Sequence, residues 1–422
     1  MPRAFHRVTS LVLLGAFGVT LSAYSVLSHE ALIDALWDLA IVPALKARFP
    51  KATADDLKEA HAYAYGGAII QDMGYYPHGN KMFSDLTHYV RSGDFVAALM
   101  RDAQSPDEYA FALGALSHYV SDNDGHRMAT NKAVPVLYPK LRKKYGDVVT
   151  YEDDPGAHIK TEFGFDVLEV AKANFAPQAY HDFIGFAVPK PLLDRAFQET
   201  YGLPLADLLK DEDRTINSFR NAVSNTIPQA TRIAWAARKD EIERSQPGAT
   251  RRRFEYNISR SSYEREWGKT YDKPSAWDRF LSVILRLIPK VGPLKALAFR
   301  MPTPEVEEQF MQSFNRSVTT YRETLSRETQ NDLHLENGNF DVGAVTSLGQ
   351  YHLADQTYAK LLHALAQRQF KDTPKPLAQI ILAYYGDPVH PPVPMKGQPS
   401  QAQVETDLAQ LKAFAARPAA TN

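Results

Sequence analysis

Cysteine is absent from the 422-residue chain. Neither disulfides nor thiolate metal sites are therefore available, and any bound ion must be held by His, Asp or Glu. Net charge is nearly absent as well. Against 49 acidic residues stand 48 basic ones, for a formal charge of -1, which gives no global attraction to nucleic acid and leaves a charged partner to be met locally. Internal repeats and alternating strand-type runs are also missing, which argues against solenoids and sheets. What remains is 44% hydrophobic and 23% charged, the balance of a soluble globular protein long enough for one large domain or two ordinary ones.

At the N-terminus, Arg3 and Arg7 precede an apolar run from Val8 to about Leu21 that ends in the small residues LSAYS. This is the pattern of a cleaved export signal over residues 1–23. A membrane anchor is the rival reading, but the run is short for a span and no charged stop follows it. The mature chain is expected to begin near Tyr24 and to be periplasmic or secreted.

Helical periodicity dominates the rest, and the expected fold is mainly α. Apolar residues recur with that period in HEALIDALWDLAIVPALKARFP. A Gly- and aromatic-rich stretch, YGGAIIQDMGYYPHGN, reads as a loop. The segment SPDEYAFALGALSHYVSD opens with Ser105 as cap, Pro106 in the first turn and Glu108 three residues on, a capping-box signature. Further helices are expected in DDPGAHIKTEFGFDVLEVAKANF and from Arg214 to Ser245, Pro304 to Arg327 and Val342 to Arg368. The expected division is a helical domain over residues 24–240, a helical C-terminal region over 241–385, and a Pro/Ala-rich tail over 386–422, peripheral or frayed.

His118, Asp122 and His126 stand four residues apart in HYVSDNDGH. On a helix all three lean to one side, yet the two histidines lie about 12 Å apart along the axis. That is too far for both to hold one ion through bonds of roughly 2 Å, so the row points to more than one metal. His158 and Glu162 form a second pair one turn apart. Singly such pairs are often helix-face hydrogen bonds, and Asp85, His61, His78 and His181 read as surface or satisfied core residues.

Taken in order, His29, Asp72, His88, His118, Asp122, His126, His158 and Glu162 resemble the zinc-dependent phospholipase C family. Its relatives include the fungal single-strand-specific zinc nucleases and the N-terminal part of glycosylphosphatidylinositol phospholipase D. The resemblance implies a multi-helix fold and up to three zinc ions. Asp72, His88, His118 and Asp122 would hold one ion, and His126, His158 and Glu162 a second. His29, Asp122 and the terminal residue Tyr24, through its amine and carbonyl oxygen, would hold a third. The chain departs from the family's pattern at Tyr24, where tryptophan is typical, and at Gln71, where many relatives have proline.

The activity so implied is hydrolysis of phospholipid to diacylglycerol and a phosphorylated headgroup by metal-activated water, with Asp72 as ligand or proton acceptor. Tyr65, Tyr75 and Tyr76 are candidates for an aromatic wall beside the site. A zinc-dependent nuclease or nucleotidase is the alternative within the same chemistry, and a noncatalytic lipid-binding protein with structural zinc is the alternative outside it. From Arg279 to Arg300, RFLSVILRLIPKVGPLKALAFR holds five basic residues and no acidic one. It is a candidate for peripheral membrane contact, against the reading of a buried core helix.

Overall fold

Helix starts in this chain are written in side chains that can cap them. Thr53 accepts from the Asp56 backbone N–H at 3.2 Å while Asp56 accepts from the Thr53 N–H at 2.8 Å, a complete capping box. Asn80, Ser105 and Ser400 each accept from a backbone N–H two or three residues on. At Ser105 the box is only half built, because Glu108 turns back to the Gln104 N–H instead.

The computed structural model describes residues 26–171, 186–227, 298–329, 333–386 and 399–416, with Ala230 and Ala234. Tyr24, His181 and most of the stretch from 279 to 300 lie outside the described residues. Helices α1 (Val26–Leu36) and α2 (Val42–Arg48) are joined by a π turn, Trp37–Ile41. Then come α3 (Ala54–Ile69), a 3-10 turn Ile70–Tyr75, α4 (Lys81–Tyr89), α5 (Ser92–Asp102) and α6 (Pro106–Gly125). A second π turn, His126–Thr130, leads to α7 (Asn131–Leu137), α8 (Pro139–Tyr145) and α9 (Pro155–Ala171). Next are α10 (Lys190–Tyr201), α11 (Leu205–Leu208) and α12 (Glu212–Asn221), then α13 (Pro304–Thr329), α14 (His352–Gln367), α15 (Lys375–Gly386) and α16 (Gln401–Ala415). The fold is mainly α, and among the described residues the one β-type pairing is the isolated bridge of Asn339 with Ala344.

The central pair is α3 against α6. Gly67 and Gly114 let their backbones nearly touch: a Cβ on Gly67 would stand 1.9 Å from the Phe111 carbonyl oxygen, and one on Gly114 would stand 2.2 Å from that of Ala64. The YGGA stretch is therefore helical, not the loop that its glycines suggested; glycine serves close approach here, not a turn.

Around that pair one apolar cluster runs from Val26 in α1 to Leu411 in α16. α13 packs over α6, where Tyr321 donates to the Leu113 carbonyl at 3.2 Å and Thr320 donates to Asp124 at 3.0 Å. The last helix does not fray. Leu411 is fully buried and Asp407 bonds His363 at 2.9 Å. A helix running on from Val342 is likewise not found: residues 342–351 are irregular, with Gly343 and Gly349 at positive φ, and the helix begins at His352. Of the basic apolar stretch, the described end is tucked inward, with Phe299 buried against Phe163 and Arg300 donating to the Leu137 carbonyl. No described helix is long and apolar enough to cross a membrane.

Candidate metal centre

Six elements converge on the interior. His29 comes from α1, Asp72 from the 3-10 turn after α3, His88 from the last turn of α4, and His118 and Asp122 from α6. His126 opens the π turn, its own backbone N–H still bonded to the Asp122 carbonyl. His158 and Glu162 lie one turn apart on α9. All eight described candidates are buried.

Asp122 divides its two oxygens. Its Oδ2 lies 3.2 Å from His118 Nε2 and 3.5 Å from His88 Nε2, while Oδ1 lies 3.4 Å from His29 Nε2 and 3.9 Å from His126 Nε2. Asp72 Oδ1 stands 3.3 Å from His88 Nε2, and the His88 and His118 Nε2 atoms are 3.4 Å apart. Four ligands on a tetrahedral zinc, at bonds of about 2.05 Å, are about 3.3 Å from one another. Four of the six contacts among Asp72, His88, His118 and Asp122, at 3.2–3.5 Å, match that edge.

The hydrogen bonds behind the rings explain why Nε2 faces inward. His88 Nδ1 meets the Ser84 carbonyl at 2.8 Å and His118 Nδ1 the Ala68 carbonyl at 2.9 Å. A carbonyl can only accept, so each Nδ1 carries the proton and a neutral ring offers its Nε2 lone pair to the centre. His29 Nδ1 meets Ser121 Oγ at 3.0 Å, while that hydroxyl donates to the His118 carbonyl. The close approach of α3 and α6 at Gly114 is what brings the Ala68 carbonyl within reach of His118.

Both oxygens of Asp72 and both of Asp122 are buried with no well-formed hydrogen bond, as is His126 Nε2. Lone pairs thus face lone pairs in a dry interior, an arrangement that requires a cation between them. The residues present fit zinc. Without metal the same crowding holds protons. Burial lowers His88, but the Asp122 and Asp72 carboxylates raise it to about 10. His126 is likewise lowered by burial yet raised to about 9, first by Asp122 and then by Asp341. Burial raises the Asp122 carboxyl, but His118, His126 and His29 together hold it well below the usual range. His29 is lowered by burial and by His118.

The second group is looser. Glu162 Oε1 lies 2.7 Å from His158 Nε2 and 3.8 Å from His126 Nε2. His126, His158 and Asp341 also bring ligand atoms within 4.8 Å of one another. The third group is His29, His118 and Asp122. Near it Asp166 accepts from the Leu27 N–H at 3.3 Å and the Ser28 hydroxyl at 3.2 Å, which pins the start of α1 beside the centre.

Of the three tyrosines expected along the wall, Tyr75 stands with its ring 5.8 Å from that of His88. Tyr76 has a buried hydroxyl without a hydrogen-bond partner; burial and then the Asp72, Asp166, Glu30 and Glu162 charges raise its pKa well above the ordinary value. Tyr65 serves elsewhere, bonding Asp34 beside the His61 ring, which stacks on Trp37. Tyr151, not foreseen, completes the wall between Tyr75 and His158. Also unforeseen are Phe340, whose ring lies 5.2 Å from His88 and 5.9 Å from His118, and Asp341.

Residues 28–209 match the zinc dependent phospholipase C family model. That segment holds all eight described candidates. Phe340 and Asp341 lie beyond it. No curated protein and no solved structure matches the chain.

Proposed function

We propose that the chain is an exported zinc-dependent phosphodiesterase that hydrolyses phospholipid to diacylglycerol and a phosphorylated headgroup. The observation that carries this reading is the set of Asp72, His88, His118 and Asp122, four of whose contacts stand at 3.2–3.5 Å, joined to two further groups through the divided carboxylate of Asp122. Bound zinc supplies positive charge for an anionic phosphate and acidifies water toward a pKa of about 7.

The chain's own residues do the rest. Asp122 holds the groups in register, and the Nδ1 bonds of His29, His88 and His118 keep each Nε2 aimed inward. Asp72 offers Oδ1 to the four-donor set and leaves Oδ2 to take the proton of the attacking water. Tyr76, kept protonated by burial and the surrounding carboxylates, donates to a phosphate oxygen. Attack forms a new P–O bond, the P–O bond to glycerol breaks, and the departing glycerol oxygen takes up a proton. The near-zero net charge favours a lipid phosphate over a polyanionic nucleic acid.

The test is metal content by elemental mass spectrometry with intact mass to read the first residue, followed by assays on phosphatidylcholine vesicles and on single-stranded DNA. Bound zinc, a start at Tyr24 and release of phosphocholine support the proposal. Cleavage of DNA alone would move it to the nuclease reading, and zinc with neither product to a structural one.

A further inference from the structure

Beyond the matched segment, residues 333–351 cross the metal centre as a strap. Ser92 donates to the Gly338 carbonyl at 2.6 Å, the Asp94 N–H to Asn337 at 3.0 Å, and the Phe340 N–H to the His88 carbonyl at 3.1 Å. Gly93 lets it lie flat, since a Cβ there would stand 2.5 Å from the Leu335 carbonyl oxygen.

At the middle of the strap Asp341 is buried and fully engaged. Its Oδ1 lies 2.9 Å from His126 Nδ1. Its Oδ2 accepts from the Tyr151 N–H at 2.8 Å and the Tyr351 hydroxyl at 2.6 Å, and Asn131 holds its carbonyl at 2.7 Å. On the far side of the ring, His126 Nε2 faces Asp122 and Glu162.

We propose that Asp341 is a positioning residue for the metal centre: its carboxylate fixes the Nδ1–H tautomer of His126 and so presents Nε2 as a zinc ligand from outside the matched segment. This rests on the zinc reading above. A carboxylate behind a ligating imidazole sets ring orientation and raises ligand basicity.

Asp341→Asn tests the chemistry with little change of shape. The Tyr151 N–H can only donate, so it keeps an oxygen at the Oδ2 position, and the new amide nitrogen then faces His126. Two donors cannot meet there, so Nδ1 must become the acceptor and the proton moves to Nε2, which can no longer ligate. The expected result is zinc affinity reduced by about 10- to 100-fold for about one ion per chain, read by competition with a zinc-binding dye. Nitrogen-15 spectra should show the His126 proton moved to Nε2. Tyr351→Phe, which removes a bond to Asp341 but leaves its partner His126 in place, should keep both zinc content and tautomer.

Zinc taken up equally by Asp341→Asn and the unmodified chain would overturn the inference alone. Zinc refused by the unmodified chain would overturn the metal reading with it. Should Asp341→Asn fail to fold, the zinc-loaded unmodified chain still decides: a His126 protonated on Nε2 and bare on Nδ1 contradicts the proposal, and the reverse supports it.

Discussion

Gly114→Ala is expected to destabilise this protein, against the ordinary behaviour of that change. Gly114 lies inside α6, where alanine is better than glycine by about 1 kcal/mol in intrinsic propensity. Helix propensity alone therefore predicts a gain. The packing predicts a loss, because the new Cβ would stand 2.2 Å from the Ala64 carbonyl oxygen and 2.8 Å from the Ala68 nitrogen. Both are backbone of the facing helix, so neither can swing aside, and α3 and α6 must separate by about 1 Å. Overpacking of this kind costs about 1–3 kcal/mol.

The same displacement stretches the 2.9 Å bond from His118 Nδ1 to the Ala68 carbonyl, and leaving that buried pair unmade adds about 1–3 kcal/mol. The losses exceed the propensity gain, for a net of about 1–5 kcal/mol. Scanning calorimetry should show Tm lowered by about 1 °C per kcal/mol, and elemental analysis a weakened zinc content, because His118 loses its orienting acceptor. Gly156→Ala on α9 is the control. Its Cβ meets nothing nearer than Asp154 Oδ1 at 3.4 Å, so Tm should hold or rise. A Gly114→Ala chain as stable as the unmodified one, with full zinc, would refute the reasoning.

Asp122→Asn should lower zinc content by more than one ion, because its two oxygens face different histidines, whereas His158→Ala should lose mainly one; equal losses from the two would contradict the shared carboxylate. In the chelated protein, His88 and His126 have folded pKa values of about 10 and 9 against an ordinary 6.5. Their contribution to stability is full below 6.5 and fades as pH rises through 9 and 10. Zinc uptake displaces those protons, so the Tm gap between zinc-loaded and chelated protein should widen from pH 7 to pH 9.5, and a constant gap would count against it. Leu411→Ala should cost about 2–5 kcal/mol, read by thermal melts, because α16 shares the core; an unchanged melt would show that α16 is peripheral.

Much of the centre was legible because its residues sit on helices whose starts are locally encoded. Ser105 and Pro106 fix where α6 begins, and once that helix is placed, His118 and Asp122 share a face. The glycines misled in both directions. Gly66 and Gly67 suggested a loop, yet both are helical and lie against facing backbone, that of Ala187 and of Phe111 respectively. Gly343 and Gly349 lay inside an expected helix, yet they take positive φ in the strap, and those two breakers were the available signal that the helix starts only at His352. Asp341 gave no local signal. It lies 215 residues from His126, and no spacing rule reaches across that distance.

The strap has a physical reason to act on His126 in particular. His88 and His118 are oriented by carbonyls of regular helices, and His29 by a hydroxyl on α6, so helix packing alone aims those three rings. His126 follows the last residue of α6, and its Nδ1 meets a partner outside the helix, the Asp341 carboxylate. Asp341 takes that role with its other oxygen held by the Tyr151 N–H and the Tyr351 hydroxyl, which ties the loop before α9 and the turn before α14 to one ring of the centre. The matched segment therefore contains the eight described ligand candidates, while the geometry of one of them depends on chain that lies beyond it.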